Sequence, residues 1–365
     1  MMFNFKELKS IHLELSTRCQ ASCPMCARNN HGGLPNPNLK IADMSVATFK
    51  KIVTNEVLET VNHMCFCGNF GDPIMNNDLI DICRYLKETS DNVNVHIHTN
   101  GGARSAEWWE ELKEALPEKH CVFFAIDGLE DTHHIYRIGT TYENVTKNAK
   151  TFIDAGGRAE WVFIKFKHNE HQAKEAERRS KELGFSTFTM KNTNRFIGEN
   201  RFSVVDKDGA HQYYLEPPTD NKVAEITKTD IDHFMKNYQS CNIECYAKKH
   251  KEVYIDVHGR ISPCCFIAHA PYNYPDNRTI VKDVKTQIVN QYYNLTDDLG
   301  GVERLDLKQH SIKDVFDSEP WHTVWDKYWG TDKSIMCAKT CGDFKNSKPK
   351  EQIIETVNLD DLEDL

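Results

Sequence analysis

Three cysteines, Cys19, Cys23 and Cys26, stand close together in Ile11-His-Leu-Glu-Leu-Ser-Thr-Arg-Cys19-Gln-Ala-Ser-Cys23-Pro-Met-Cys26. In a reducing compartment, thiolates at this spacing act as metal ligands more often than as disulfide partners. A closed structural zinc site takes four ligands. Three thiolates suit a [4Fe–4S] cluster with one iron left open, and an open iron can bind a substrate or cofactor directly. A second set lies far downstream: Cys241, Cys245, Cys264, Cys265, Cys337 and Cys341. A hairpin turning at His258-Gly259 would bring its two flanking cysteines together, with distant Cys337 and Cys341 at a helical end completing a site. A four-cysteine zinc site is the alternative there.

The elements that must carry these residues follow from periodicity. Ile11 to Leu15 alternates as a strand, and the cysteine loop follows it directly. Asn29 to Ala42, rich in Gly, Pro and Asn, reads as an extended loop. Ser45 to Thr60 reads as a helix with Ser45 at its N-cap. Strands are expected at 61–68, 94–101, 121–127, 160–166 and 186–190, and helices at 79–87, 105–116, 142–155 and 170–183. Strand–helix alternation implies a parallel sheet, here a partial (β/α)6 TIM-type barrel. Function in such barrels sits at the C-terminal ends of the strands. The cysteine triad, Asp72, Asn100 and Asp127 all fall there.

Cys-x3-Cys-x2-Cys after the first strand resembles the radical S-adenosylmethionine (SAM) superfamily. In that family the open iron chelates the methionine amino and carboxylate groups of SAM. One electron then cleaves SAM to methionine and a 5′-deoxyadenosyl radical. The resemblance places Met25 near the adenine, where relatives commonly carry an aromatic residue. Phe70-Gly71-Asp72-Pro73 resembles the family's Gly-Gly-Glu-Pro signature, with Gly71 and Asp72 engaging the SAM amino group. Thr99-Asn100-Gly101 resembles the third-strand end near the ribose, and Ala125-Ile-Asp127-Gly128 the fourth. Arg137 stands where the SPASM/twitch branch carries an arginine for the SAM carboxylate. From Cys245, thirteen residues lead to Gly259 and four more to Cys264. That spacing resembles the opening of SPASM and twitch domains. Only Cys-x3-Cys follows, so the resemblance implies one auxiliary [4Fe–4S] cluster held by Cys245, Cys264, Cys337 and Cys341. Cys241 competes for one place.

Composition bounds this reading. No apolar run approaches the roughly 20 residues of a membrane helix, and the N-terminus lacks a signal-peptide pattern. The expected location is the cytoplasm. A net charge of −9 argues against a general nucleic-acid binder. The 13 cysteines cluster as metal sites rather than as disulfide partners. Cys65 and Cys67 share one strand face and read as small core residues, as do Cys83 and Cys121. His96 and His98 also share a face, and a substrate acid or base role competes with a structural one.

Four segments are expected. Residues 1–192 form the barrel. Residues 193–240 form a link with a β-hairpin at Asp206-Lys-Asp-Gly209. Residues 241–345 form a small α+β twitch-like iron–sulfur domain. Residues 346–365 form an acidic tail. Trp321, Trp325 and Trp329 share one helical face, expected to be a buried seam. The expected activity is hydrogen abstraction that modifies a peptide or protein, with a low-potential flavodoxin or ferredoxin supplying electrons. The first strand begins close to residue 10, which leaves no N-terminal peptide-binding domain. That keeps a small-molecule substrate, a carbohydrate or nucleotide, as the alternative. A non-catalytic iron–sulfur or zinc protein on nucleic acid is the remote alternative. No catalytic acid or base is legible.

Overall fold

The computed structural model describes residues 2–193, 195–196, 200–220, 228–272, 279–343 and 353–359. One sheet of nine strands organises it. Six parallel strands follow the expected order: β1 (Ser10–Leu13), β2 (His63–Cys67), β3 (Asn94–Thr99), β4 (His120–Ala125), β5 (Ala159–Lys165) and β6 (Thr187–Asn192). Alternation along each strand divides the sheet into two faces. Ile11, Leu13, Phe66, Val95, Ile97, Phe124, Trp161 and Phe163 are fully buried in the main apolar core. His12, Glu14, Cys65, Cys67, His96, His98 and Glu160 fall on the opposite face, the barrel lumen.

A separate hairpin (Phe202–Val205 as β7, His211–Leu215 as β8) turns where Asp206-Lys-Asp-Gly predicts. It sits over the cysteine loop. His31 stacks on Phe202 with ring centroids 4.5 Å apart, and the Val205 amide donates to the His31 carbonyl. Phe202, Val204 and Leu215 join Cys23, Met25, Tyr136 and Phe166 in one apolar cluster. The hairpin therefore packs over the cysteine loop.

Three features depart from the sequence reading. First, β9 (Glu252–Ile255) pairs parallel with β1, and β10 (Ile261–Ser262) returns antiparallel on it. The sheet thus runs on past the expected boundary at 241, because Val253 and Ile255 bury against the barrel core. Second, residues 353–358 form β11, antiparallel to β6, and Leu359 is buried. This stretch of the expected tail is a sheet edge, since Ile353-Ile-Glu-Thr-Val is strand-forming sequence. Residues 346–352 and 360–365 lie outside the described residues. Third, the helix expected over 45–60 divides into Val46–Ile52 and Asn55–Leu58. The β-branched pair Val53-Thr54 leaves helical geometry, and Thr54 in extended backbone starts the second turn.

Ser45 caps the first of these helices as expected, accepting from the Thr48 amide. A long helix over Thr279–Asp298 has no counterpart in the sequence reading. Among the described residues, no helix is long and apolar enough to cross a membrane.

Candidate active site

The triad lies on the loop after β1, at the mouth of the lumen. Cys23 is buried, and Cys19 and Cys26 are half-buried. Two nitrogen donors aim at their sulfurs: Asn100 Nδ2 at Cys19 Sγ (3.4 Å) and Arg137 Nη1 at Cys23 Sγ (3.6 Å). Burial pushes both thiols up from their ordinary range. As free thiols they would stay protonated, so a bound metal is what would make them thiolates. N–H donors on thiolate sulfur are a recurrent support for iron–sulfur clusters. The residues present thus fit a [4Fe–4S] group with three protein ligands. Among the described residues, no three His, Cys, Asp or Glu side chains close around a point that would hold one metal ion. The thiolates of an iron–sulfur cube bind different irons and do not need to.

Asn100 is the centre of a network. Its amide donates to Asp72 Oδ2 at 2.7 Å, and its Oδ1 accepts from Gln20 Nε2 at 2.6 Å. The Asp72 carboxylate also accepts from Thr99 Oγ1 and from the Ile74 amide. Both Asp72 oxygens therefore have partners within the protein. Burial raises this carboxyl to about 6, against those donors. Asp127 Oδ2 accepts from Arg137 Nε at 2.6 Å, and its Oδ1 from the Ile164 amide at 2.5 Å. Asp127 has no exposed side-chain surface, and Arg137 only 15%. One guanidinium fork thus spans the fourth-strand carboxylate and the middle cysteine. Met25 packs in the roofed cluster beside Tyr136 and Phe166, and its carbonyl accepts from Arg195 Nη1.

The loop after β2 needs glycine for close approach. A Cβ on Gly71 would stand 2.1 Å from the Ser16 carbonyl oxygen, and one on Gly68 would stand 1.5 Å from that of Gly71. The residue that shapes this loop is Glu14, which sequence reasoning missed. Its carboxylate is buried and accepts the amides of Asn69, Phe70 and Gly71 at 2.9–3.1 Å. Tyr254 of β9 donates its hydroxyl to the same group. Burial raises Glu14 to about 7, although the amides of Phe70 and Asn69 pull the other way. The available signal was an acidic residue at a lumen position inside an apolar strand.

The second cysteine set is also gathered. Cys245, Cys264, Cys337 and Cys341 line one cavity of about 210 Å³, walled by Trp325 and Trp329. Cys245 and Cys264 each precede a short helix, Tyr246–His250 and Cys265–Ala268. The helix Ile335–Cys341 presents Cys337 and Cys341 one turn apart. The Glu244 amide donates to the Cys341 carbonyl and pins the two distant segments together. Cys265 lines the cavity as well. Cys241 does not: its thiol donates to the Tyr238 carbonyl at 3.2 Å. The tryptophan seam is present, but its helix gives way to a wider turn over Lys327–Thr331.

Comparison with known proteins agrees with this geometry. The sequence model described as the Radical SAM superfamily matches residues 13–170. A tungsten-containing aldehyde ferredoxin oxidoreductase cofactor-modifying protein of Pyrococcus furiosus is 23% identical over 277 residues, covering 73% of this chain and 74% of that protein. The solved structure of anSMEcpe with bound AdoMet superposes with a TM-score of 0.51 at 14% identity, over 96% of this chain and 90% of that one. Streptococcus suis SuiB, bound to precursor peptide SuiA, superposes with a TM-score of 0.49 at 14% identity over 78% of this chain. This chain spans 65% of the length of SuiB. With a triad of cysteines at the mouth of a mostly parallel partial barrel, residues 13–170 match the radical SAM superfamily.

Proposed function

We propose that this chain is a radical SAM enzyme that takes a hydrogen atom from a peptide or protein substrate and so modifies it. The observation that carries this reading is the triad at the lumen mouth, with Asn100 and Arg137 donating to two of its sulfurs. When bound there, the cluster and SAM together supply a 5′-deoxyadenosyl radical by one-electron reductive cleavage. The chain's own residues bind, orient and exclude water. Cys19, Cys23 and Cys26 hold the cluster. The 69–71 loop, braced by Glu14 and Asp72, receives the SAM amino group. Arg137 meets the SAM carboxylate while Asp127 fixes its fork. Asn100 lies near the ribose and Met25 beside the adenine. The β7–β8 roof keeps water from the radical.

Cys245, Cys264, Cys337 and Cys341 hold one auxiliary [4Fe–4S] cluster of twitch type, which suits electron exchange with the substrate. Its cavity, with four thiols and aromatic walls, supports that ligand set over one containing Cys241. A low-potential flavodoxin or ferredoxin in the cytoplasm supplies the electrons. A second reading, a small-molecule substrate, draws support from the cofactor-modifying description of the Pyrococcus relative. The test is 5′-deoxyadenosine formation by anaerobic, reconstituted protein with SAM and dithionite. Stimulation by peptides would favour the first reading and stimulation by cofactor precursors the second. No 5′-deoxyadenosine under any condition would reject both.

A further inference from the structure

The loops after β1, β2 and β3 close a polar groove of about 480 Å³, lined by Arg18, Asp43, Met75, Asn77, Ala103 and Arg104. It belongs to the C-terminal rim of the strands, where function sits in such barrels. The groove adjoins the site already described, because the Asp72 amide donates to the Arg18 carbonyl at 2.8 Å. Arg104 stands in left-handed backbone at φ +77°. That conformation is costly for any residue but glycine and persists only where the surroundings hold it. Its guanidinium is part of that hold. Nε donates to the Ile74 carbonyl at 2.6 Å, and Nη2 donates to the Asn76 carbonyl and to Asn77 Oδ1, each at 3.1 Å. The Trp108 ring lies 5.1 Å from its Cζ. Arg104 is therefore fixed in place, yet its Nη1 has no partner among the described residues. Arg18 donates Nε to Asp43 Oδ2 at 2.9 Å, and its Nη1 and Nη2 likewise have no partner there. Asp43 is the one acid of the lining, and its other oxygen accepts Ser16 Oγ at 2.6 Å.

We propose that this groove binds an oxyanion, a carboxylate or phosphate group, on Arg18, Arg104 and Asn77. The hydrogen-bonding groups left over in the lining side chains are donors. Both Asp43 oxygens and Asn77 Oδ1 are engaged, while Nη1 and Nη2 of Arg18, Nη1 of Arg104 and Nδ2 of Asn77 are not. The two Nη groups of one guanidinium form a fork that takes two oxygens of a carboxylate or phosphate in one plane. Arg104 gives up little side-chain freedom on binding, since its own bonds already fix it, and that favours the contact. Two guanidinium groups on one groove also stand out in a chain of net charge −9. An acidic side chain of a polypeptide and a phosphorylated small molecule both carry this chemistry. The site does not rest on the proposed function. Where that reading holds, an anion held here lies one residue from Cys19 and grips its bearer at the barrel rim.

Phenylglyoxal modification of arginine in the intact anaerobic protein, followed by peptide mass mapping, tests the site without SAM or reductant. Failure here therefore leaves the radical SAM reading untouched, and the reverse also holds. Arg84, exposed and paired with Asp81 and Glu111, is the internal control. Inorganic phosphate at about 10 mM should slow modification of Arg18 about fivefold and of Arg84 less than about twofold, with ionic strength matched by chloride so that screening is equal. Arg104→Gln should abolish the protection of Arg18, because the two side chains share one ligand. Pentaglutamate and glycerol phosphate separate the sources. Protection at lower concentration by the first assigns the anion to a polypeptide, and by the second to a phosphorylated molecule; either result supports the site. Circular dichroism checks the fold of Arg104→Gln, and the unmutated protein decides the matter if that variant unfolds. Equal slowing of Arg18 and Arg84, equal protection by chloride alone, or protection of Arg18 that survives in folded Arg104→Gln would each overturn the proposal.

Discussion

Glu14 Oε2 accepts the Tyr254 hydroxyl at 3.1 Å, which ties the mouth of the barrel to the strand leading into the second cysteine set. The same carboxylate holds three consecutive amides of the glycine loop. One buried side chain therefore joins the proposed SAM loop to β9. Tyr254→Phe removes one hydrogen bond to a carboxylate and should cost about 1–3 kcal/mol. Glu14→Ala leaves three amides and a hydroxyl without their acceptor and should cost more, at about 1–3 kcal/mol for each group left buried and unpaired. Urea unfolding of both variants measures the order. Equal stability of Glu14→Ala and the parent would remove Glu14 from this role.

Gly71 packs against the backbone of Ser16 with no room for a methyl group. Gly71→Ala must push the loop away from the cysteine segment. SAM affinity should fall about tenfold or more, as is typical when a binding loop moves by about 1 Å. Isothermal titration under anaerobic conditions reads this directly. A Cβ at Gly209 meets nothing within 4 Å, so Gly209→Ala, strained only by its positive φ, should leave SAM binding intact.

His133 is fully buried and bonds Thr140 Oγ1 through Nε2. Burial, with nearby Arg137, lowers it from 6.5 to about 3. The folded chain therefore refuses a proton that the unfolded chain accepts between those values. This contribution is fully present above pH 6.5 and is lost as pH falls toward about 3, with a limiting slope of about 1.4 kcal/mol per unit. Melting temperature should drop on acidification below pH 6.5, and less so in His133→Gln. Parallel pH profiles for the two proteins would contradict the assignment.

Mutating Cys245 and Cys264 together to Ala should remove about half the iron of the reconstituted protein, from about eight atoms to about four. SAM cleavage without substrate should persist, because the triad is untouched. Circular dichroism separates cluster loss from unfolding, since a cluster that staples distant segments also stabilises them. Zinc in place of the second four irons would rule out the auxiliary cluster.

The parallel strands were legible because each is an apolar or alternating run, most of them closed by Gly, Asn or Asp. The triad was legible because its three cysteines lie within eight residues of one another in sequence. The gathering of Cys245 and Cys264 with Cys337 and Cys341 was legible only through family spacing. No periodicity reports that Glu244 bonds the Cys341 carbonyl. Glu14 was missed because a single acidic residue in a strand pattern reads as a solvent-facing position until the sheet curves around it. Cys65 and Cys67 read as core for the same reason, since a strand pattern does not distinguish a lumen from a packed interior. The hairpin of β9 and β10 at His258-Gly259 was legible, but the pairing of β9 with β1, and β11 altogether, were hidden because the partners are more than 160 residues away in sequence.

The central claim is that Cys19, Cys23 and Cys26 hold the cluster that cleaves SAM. Its most direct test replaces all three with Ala and measures 5′-deoxyadenosine from SAM under dithionite, with iron counted on the same samples. The account predicts that 5′-deoxyadenosine formation is abolished, while about four irons remain in the separate auxiliary site. Undiminished 5′-deoxyadenosine from the triple variant would contradict it.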